Sequence, residues 1–302
     1  MIALVIGRPQ HRQAVTAVVA AAILFGTTGT AQSLGPEGSS PWGVGTLRIV
    51  LGSIVLWALA RSVPRLMDLR GDAGRHLVVG GLGVAIYQPA FFVGTARLGV
   101  TLGTMVTLAT GPAVAGVFDY LLKGRRPHRT WLIGTLGMLI GVVILATGRP
   151  DAVEVSIDLV GLVGSAAAGF GYALYAVMAQ RAMSAGVEST RALAWEHSIG
   201  ALMLAPGLLV VPLGWVPSVS GVAMLAHLGV LTVGVAYLLY GIGLRVIDSS
   251  TAVSITLVEP LTATVLAVVI LNESLGVIGW VGALVVVVGL AMVGRGRPSE
   301  RL

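Results

Sequence analysis

Long apolar stretches follow one another along almost the whole chain. A helix that crosses a bilayer needs about 20 predominantly apolar residues, and ten segments meet this requirement. The predicted spans are about 14–33, 42–61, 76–95, 98–118, 130–148, 158–180, 191–211, 219–243, 250–270 and 275–294. The connections between them are short and polar, and none is long enough for a folded soluble domain. The pattern predicts an all-α integral membrane protein with ten transmembrane helices.

A polar joint at mid-chain divides these helices into two sets of five. One constant offset in residue number superimposes the two halves without a gap. It is the offset that takes Arg97 to Arg245 and Pro112 to Pro260, and we call it the repeat shift. Five spans per half give the two copies opposite orientations, a common plan in secondary transporters. We therefore predict two inverted five-helix repeats, with the layout 1–13 N-terminal tail, 14–148 first repeat, 149–157 outer connecting loop with Asp151 and Glu154, 158–294 second repeat, and 295–302 C-terminal tail.

Charge is sparse and unevenly distributed. Only 11% of the 302 residues are charged and 56% are hydrophobic, whereas a soluble domain has about 25% charged residues. The formal net charge of +6 does not indicate nucleic acid, because the cations lie in short loops and form no basic domain. If the N-terminus is cytoplasmic, the outer loops receive only Arg97 and Arg149 of the 19 cations. Since cytoplasmic loops are enriched in Lys and Arg, both termini are predicted to be cytoplasmic.

The first apolar segment has a second interpretation. Arg8 and Arg12 precede a run that ends in small residues at 29–31, as in a cleaved export signal. However, the run over 14–33 has full spanning length, and its removal would leave the first repeat without one helix. We therefore interpret it as the first transmembrane helix.

Glu259 is the most informative side chain, because it lies in mid-span beside Pro260. A charged carboxylate at the bilayer centre costs about 2.5–3.5 kcal/mol on insertion scales, so it must face protein or water. It either contacts substrate or a coupling proton, or is protonated and bonded to a carbonyl of a neighbouring helix. Pro112 and Pro260 each remove a backbone hydrogen bond in mid-helix, which suits either a gate or simple packing.

Arg48 and Glu196 occupy the same position in the two repeats. Because the repeats are inverted, we expect similar depths from opposite faces and no salt bridge between them. Arg48 either extends to the interface or attracts an anionic group of a substrate. Glu196 and His197 are expected near the cytoplasmic mouth, either as a proton relay or as ordinary interfacial charge.

Uncharged polar and aromatic residues recur on the predicted spans. Pairs three residues apart share a helix face, and such faces would suit a neutral, zwitterionic or aromatic solute; aromatic pairs also serve ordinary packing. With Glu259, the predicted cavity residues are Tyr87, Gln88, Thr104, Thr107, Tyr172, Tyr175, Tyr237, Tyr240 and Thr256. The predicted coupling or gating residues are Glu259, Pro112, Pro260, Arg48 and Glu196.

The second half carries a recognisable set of motifs: Gly-Leu-Arg-Val-Ile-Asp-Ser-Ser-Thr-Ala at 243–252, Leu-Val-Glu-Pro at 257–260 and Leu-Asn-Glu-Ser at 271–274. With these motifs, the chain resembles an EamA-type transporter of the drug/metabolite transporter superfamily over about 14–147 and 158–294. The resemblance implies a central cavity that opens alternately to each side, no bound cofactor, and export of an amino acid or related metabolite across a bacterial inner membrane. The first half departs from the pattern with Gly111 at the position of Glu259, and with Arg125 where the family usually has Glu.

Two alternatives compete with a carrier of amino acids or related metabolites. A membrane-embedded enzyme acting on a lipid-linked substrate would need a catalytic set, and the sequence has no H-E-x-x-H, G-x-S-x-G or P-loop motif and no Cys. Asp68 and Asp72 have a spacing that could hold Mg²⁺, but we interpret their segment as a solvated loop among arginines. A drug or amine efflux carrier is the other alternative. We expect no enzyme activity, metal or cofactor; the expected partners are a small-molecule substrate, the lipid bilayer and protons as coupling ion, without nucleic acid, and monomer and dimer are both left open.

Overall fold

Ten helices of the described chain are long and apolar enough to cross a membrane. The computed structural model describes residues 10–124, 128–147, 158–270 and 274–295. We number the spans α1 His11–Ser33, α2 Pro41–Ala60, α3 Gly71–Leu98, α4 Leu102–Leu122, α5 Arg129–Thr147, α6 Leu159–Ser184, α7 Ser189–Leu209, α8 Val219–Leu244, α9 Ser249–Ile270 and α10 Val277–Gly294. The prediction of an all-α integral membrane protein with ten spans is confirmed. The predicted connection 149–157, Arg125, and most of both tails lie outside the described residues.

Several helices are longer than their apolar stretches. The helix predicted over 76–95 begins at Gly71, and the one predicted over 158–180 continues to Ser184. The additional turns are polar, with Asp72 in the first turn of α3 and Arg181 in the last turn of α6. Hydropathy marks the part of a helix that is in lipid, whereas the backbone hydrogen bonds continue beyond it.

The repeat is visible in the positions at which the helices begin. The repeat shift takes the first residue of α1, His11, to that of α6, Leu159, and it likewise relates α2 to α7, α3 to α8 and α5 to α10. The starts of α4 and α9 also agree, apart from a single position. Because each repeat has five spans, corresponding helices run in opposite directions, and the predicted inverted architecture is confirmed.

The chain reverses direction between α3 and α4 while remaining helical. The helical backbone runs from Gly71 to Lys123, a length of 53 residues, which as one straight rod would measure about 80 Å. However, a Cβ at Gly103 would lie 2.9 Å from Cα of Thr95, although residues eight apart in a straight helix are separated by about 12 Å. The two spans are therefore antiparallel neighbours.

Glycines let the last helix of each repeat pack closely on its counterpart. A Cβ at Gly134 would lie 2.9 Å from the carbonyl oxygen of Gly289, and a Cβ at Gly141 would lie 2.9 Å from that of Gly282. The repeat shift converts one contact into the other, because it takes Gly134 to Gly282 and Gly141 to Gly289. The α5–α10 pair therefore lies on the pseudo-two-fold axis, with backbones close enough to exclude any larger residue.

Candidate functional site

A cavity of about 350 Å³ lies between the two repeats, a volume suited to a small organic molecule. Every helix except α10 contributes to its wall. The polar and charged lining residues are Thr28, Gln32, Arg48, Tyr87, Gln88, Thr104, Thr107, Tyr172, Tyr175, His197, Thr232, Tyr237, Glu259 and Thr264.

The cavity is displaced toward one membrane surface. We name the surface at which α1 ends the Ser33 side, and the surface at which α6 ends the Ser184 side. On α1 the lining runs from Phe25 to Gln32, in the half that approaches the Ser33 side, and the exposed Gln32 shows that the cavity reaches this surface. Toward the Ser184 side the helices are sealed by side chains at most 1% exposed, namely Leu56, Leu193, Leu244 and Val253.

Arg48 is held in a defined orientation within the wall. Its Nη2 donates to Oε1 of Gln88 over 3.0 Å, and Gln88 is only 3% exposed. Gly45 makes room for this amide, because a Cβ at Gly45 would collide with Nε2 of Gln88. The guanidinium is thus presented to the cavity by its neighbours rather than extended to the membrane interface.

Glu259 supplies the opposite charge. It lines the cavity together with Arg48, but the ion pairs found among the described residues are Arg75–Asp72, Arg97–Asp158 and Arg191–Asp68. Within the described chain, neither Arg48 nor Glu259 therefore has an ion-pair partner. The cavity wall thus contains both a guanidinium and a carboxyl group.

Aromatic rings form the wall of the cavity nearest its closed end. The hydroxyls of Tyr175 and Tyr237 are hydrogen-bonded at 2.9 Å, and the rings of His197 and Tyr237 meet edge to face with centroids 4.1 Å apart. Tyr172 is hydrogen-bonded to Thr256 Oγ1. These contacts hold the Tyr172, Tyr175, His197 and Tyr237 rings in the cavity wall, an arrangement suited to a ligand with an apolar part.

Two helices are irregular where they border the cavity. In α9 a 3-10 turn over Thr256–Val258 precedes Glu259; since Pro260 has no amide hydrogen, it cannot donate to the carbonyl of Thr256 as a regular helix would require. In α8 the segment His227–Val235 is π-helical, and Nε2 of His227 is hydrogen-bonded to Thr27 at 2.8 Å. Local departures of this kind are frequent at functional sites.

Most of the predicted site residues meet at this cavity. Those that line it are Arg48, Tyr87, Gln88, Thr104, Thr107, Tyr172, Tyr175, Tyr237, Glu259 and Pro260. Pro112, Glu196, Tyr240 and Thr256 do not line it. The prediction omitted Phe25, Phe92 and Thr264, which do; the spacing of Phe25, Thr28 and Gln32 at three and four residues is a helical-face signal that could have identified the first of them.

The expectation that Glu196 lies near the cytoplasmic mouth of the protein, where water would solvate its charge, is wrong. Its side chain is 0% exposed, and neither carboxylate oxygen has a hydrogen-bond partner within the described part of the chain. The reason is that α7 packs directly against α3: a Cβ at Gly80 would overlap the Glu196 carboxylate. Two small residues, Gly80 and Gly81, allow this close approach.

On the Ser184 side the two repeats are joined by polar contacts. Asp68, in the connection between α2 and α3, accepts hydrogen bonds from Nε of Arg191 at 3.1 Å, from Nη2 of the same residue, and from Nε1 of Trp195 at 3.1 Å. Trp57 Nε1 donates to Ser198 Oγ at 2.9 Å. These contacts close this side by linking the first repeat to α7. We call the group the Asp68 bridge; its members are Asp68, Arg191, Trp195, Trp57 and Ser198.

The solvated-loop interpretation holds for Asp72, whose side chain is 83% exposed, and is wrong for Asp68, which is 17% exposed. Burial by itself raises the pKa of Asp68, but the hydrogen bonds from Arg191 and Trp195 and the charge of Arg191 outweigh it, so the pKa lies below its usual value. Among the described residues no group of three or more His, Asp or Glu side chains is arranged to hold a metal ion.

A ten-helix membrane protein built from two inverted repeats, with a solute-sized cavity between them, has the architecture of a secondary transporter. The profile of the EamA-like transporter family matches residues 12–147 and 159–295. The chain belongs to this family, as its motifs indicated.

Relatives along the whole chain agree with this assignment. The uncharacterised transporter YwfM of Bacillus subtilis is 30% identical over 91% of this chain and 92% of its own. The uncharacterised inner membrane transporter YicL of Salmonella typhimurium is 24% identical over 93% of this chain and 95% of its own. A solved crystal structure with 23% identity superimposes with a TM-score of 0.77 over 92% of this chain and 95% of that one, which supports the fold. The protein is thus a multi-pass membrane protein of a transporter family.

Proposed function

We propose that this protein carries a small neutral or zwitterionic metabolite, an amino acid or a related solute, out of the cytoplasm by alternating access. The observation that supports this most directly is the cavity itself. It is accessible from the Ser33 side, sealed toward the Ser184 side, and contains Arg48 and Glu259 without an ion-pair partner among the described residues. A carrier needs such a site at the junction of its two repeats.

The chemistry of the wall favours a solute with separated charges. Arg48, oriented by Gln88, would bind a carboxylate with its planar guanidinium. Glu259 would bind an ammonium group, and in the absence of solute it would bind a proton. Tyr87, Tyr172 and Tyr175 would contact the apolar part of the molecule.

The distribution of cations favours an orientation with both termini in the cytoplasm of a bacterial cell, in the inner membrane. The Ser184 side carries Arg65, Arg70, Arg75, Arg129 and Arg191, whereas Arg97 lies on the Ser33 side. By the positive-inside rule, the Ser184 side is cytoplasmic and the structure is open outward.

Counterflow in proteoliposomes tests the proposal. Vesicles loaded with one unlabelled amino acid at a time should accumulate the same labelled compound, and vesicles with Arg48→Ala protein should lose most of that accumulation. Accumulation of amines, with no amino acid taken up, would instead identify an amine carrier. A protein that moves neither class, although it unfolds cooperatively in a thermal melt, would contradict the proposal.

A further inference from the structure

The four predicted site residues that do not line the cavity have a common relation to it. Under the repeat shift, each corresponds to a residue that does line it: Glu196 to Arg48, Tyr240 to Phe92, Thr256 to Leu108, and Pro112 to Pro260. Glu196, Tyr240 and Thr256 are all 0% exposed. These four residues therefore lie in the closed half of the molecule, whereas their equivalents in the other repeat line the open cavity.

The contacts between the repeats obey the same relation. A Cβ at Gly81 of α3 would lie 2.5 Å from Cβ of Ile199 on α7, and a Cβ at Gly229 of α8 would lie 2.6 Å from Cγ of Leu51 on α2. The repeat shift takes Gly81 to Gly229 and Leu51 to Ile199. The pairs α3–α7 and α2–α8 therefore meet through equivalent surfaces, which can exchange roles without new types of contact.

Glu196 is the residue for which this exchange has the largest chemical effect. It is fully buried, neither carboxylate oxygen has a hydrogen-bond partner among the described residues, and its helix is packed against Gly80 and Gly81 of α3. In the present conformation, none of the described residues donates a hydrogen bond to this carboxyl group or pairs with its charge. Its equivalent on α2, Arg48, faces an open cavity.

We infer that, in the conformation open to the Ser184 side, Glu196 takes the place in the cavity wall that Arg48 has here, and binds a cationic group of the solute. The inference rests on the proposed alternating access. Because the repeats are inverted, exchange of their conformations gives α7 the relation to the cavity that α2 has here, and it moves the Glu196 carboxyl group from its buried place beside Gly80 to the cavity wall. The solute then meets a guanidinium when it enters from one side of the membrane and a carboxylate when it enters from the other.

The absence of cysteine from the sequence makes the inference testable with single thiols. We would place Glu196→Cys protein in right-side-out and inside-out vesicles and measure its modification by a small, charged, membrane-impermeant methanethiosulfonate. Two variants serve as references. Ala176→Cys is also buried but equivalent to the cavity residue Thr28; Ala194→Cys is buried, lies on the same helix as Glu196, and is equivalent to Thr46, which is 2% exposed and does not line the cavity.

Glu196→Cys should react from the Ser184 side at least about tenfold faster than Ala194→Cys, as expected for a residue exposed in a minor conformation, and should be protected from the Ser33 side. If Ala176→Cys reacts from the Ser184 side and Glu196→Cys does not, alternating access stands and the inference is wrong. If neither reacts from that side, the proposed function fails and the inference fails with it. Reaction of Glu196→Cys from the Ser33 side would also overturn the inference.

The ligand class is tested by transport from each side separately. Glu196→Gln should raise the KM of a zwitterionic or cationic solute about tenfold for entry from the Ser184 side, the effect of one lost charge-assisted hydrogen bond, and leave KM from the Ser33 side unchanged. Glu196→Asp should restore much of the difference. An equal change of KM from both sides would show that the residue has a structural role only.

Discussion

The orientation of Arg48 depends on a residue that is itself nearly inaccessible. Gln88 accepts the guanidinium hydrogen bond and occupies the space left by the missing side chain of Gly45. The three positions act as one unit, in which α2 supplies the charge and α3 fixes its direction.

Replacing Gln88 by Leu should therefore weaken solute binding although Arg48 is unchanged. We expect an increase in KM of about tenfold, because the guanidinium loses its fixed direction, and a similar increase for Gly45→Ala, which displaces the amide. Initial rates of uptake into proteoliposomes measure both effects. Gln32→Leu is the matched control, since Gln32 lines the exposed rim of the cavity; an equal loss there would contradict the special role of Gln88.

Glu259→Gln should remove coupling while preserving the shape of the cavity. We expect uptake driven by a pH gradient to fall at least about tenfold, because the charge is lost. Exchange between equal pools should be largely retained at saturating solute, where weaker binding of the ammonium group no longer limits the rate. Thr264→Val, on the same helix and in the same wall, should leave the gradient dependence intact. Unchanged flux with an unchanged response to pH would show that Glu259 has no coupling role, whereas the carrier itself would stand.

At the scale of single residues, the sequence predicted the chemistry of the cavity better than its extent. A charged residue within an apolar span is conspicuous, so Arg48 and Glu259 could be found from the sequence. A polar helix face, however, continues along the whole helix, whereas a cavity open to one side uses only half of it. Tyr240 and Thr256 lie on suitable faces but in the closed half, and no pattern of residues indicates which half is closed.

Among the helices, α5 and α10 are held together at glycine positions where a single methyl group matters. A Cβ at Gly141 would lie 2.7 Å from the backbone nitrogen of Val286, whereas at Gly137 on the same helix the nearest atom is 4.0 Å away. We expect Gly141→Ala to destabilise the protein by about 1–3 kcal/mol through overpacking, and Gly137→Ala to be neutral. Thermal unfolding in detergent compares their Tm values, and equal melting of the two variants would contradict the close packing.

The Asp68 bridge should control how often the Ser184 side opens. Asp68→Asn removes the ion pair with Arg191 and should increase the modification of a reporter thiol at Ala176→Cys from that side several-fold. Asp72→Asn is the control, because its partner Arg75 is 82% exposed and exposed pairs contribute little. No difference between the two variants would show that the bridge does not hold this side closed.

The same bridge should be insensitive to pH over the physiological range. The pKa of Asp68 is lowered in the folded protein, so the stabilisation by the ion pair is fully present above the ordinary aspartate pKa of about 3.9. It is lost only as the pH falls through the lower value of the folded protein. Modification of the Ala176→Cys reporter, measured in a Glu259→Gln background that removes the proposed coupling proton, should thus be equally slow at pH 5 and pH 8, after correction for thiol ionisation. Markedly faster modification at pH 5 would contradict this account.

At the scale of helices, the lipid environment made it straightforward to predict how many transmembrane segments there are and that they are α-helical. A bilayer requires about 20 apolar residues for every span, and this requirement leaves a clear pattern. The irregular segments are another matter. Pro260 indicates the break in α9, but the π-helical segment His227–Val235 in α8 contains no proline and depends on packing against other helices.

For the molecule as a whole, the repeat shift was accessible from sequence because Arg, Pro and Gly positions recur in both halves. The first residues of the helices agree with it more closely than the residue identities do, since lipid thickness preserves helix positions while side chains diverge. The repeat shift indicated inverted topology, but not the conformation in which the protein is observed. Two conformations of similar free energy can use one sequence, so only the structure shows which side is open.

The contact between α5 and α10, which we call the α5–α10 seam, determines how a destabilising substitution there would affect transport. Its glycine contacts map onto each other under the internal symmetry, and α10 takes no part in the cavity. A substitution there would destabilise the inward-open and outward-open conformations equally. It would therefore lower the number of folded molecules in the membrane without changing the equilibrium between the two conformations in those that remain. Loss through the seam should thus look like reduced abundance with normal turnover per molecule.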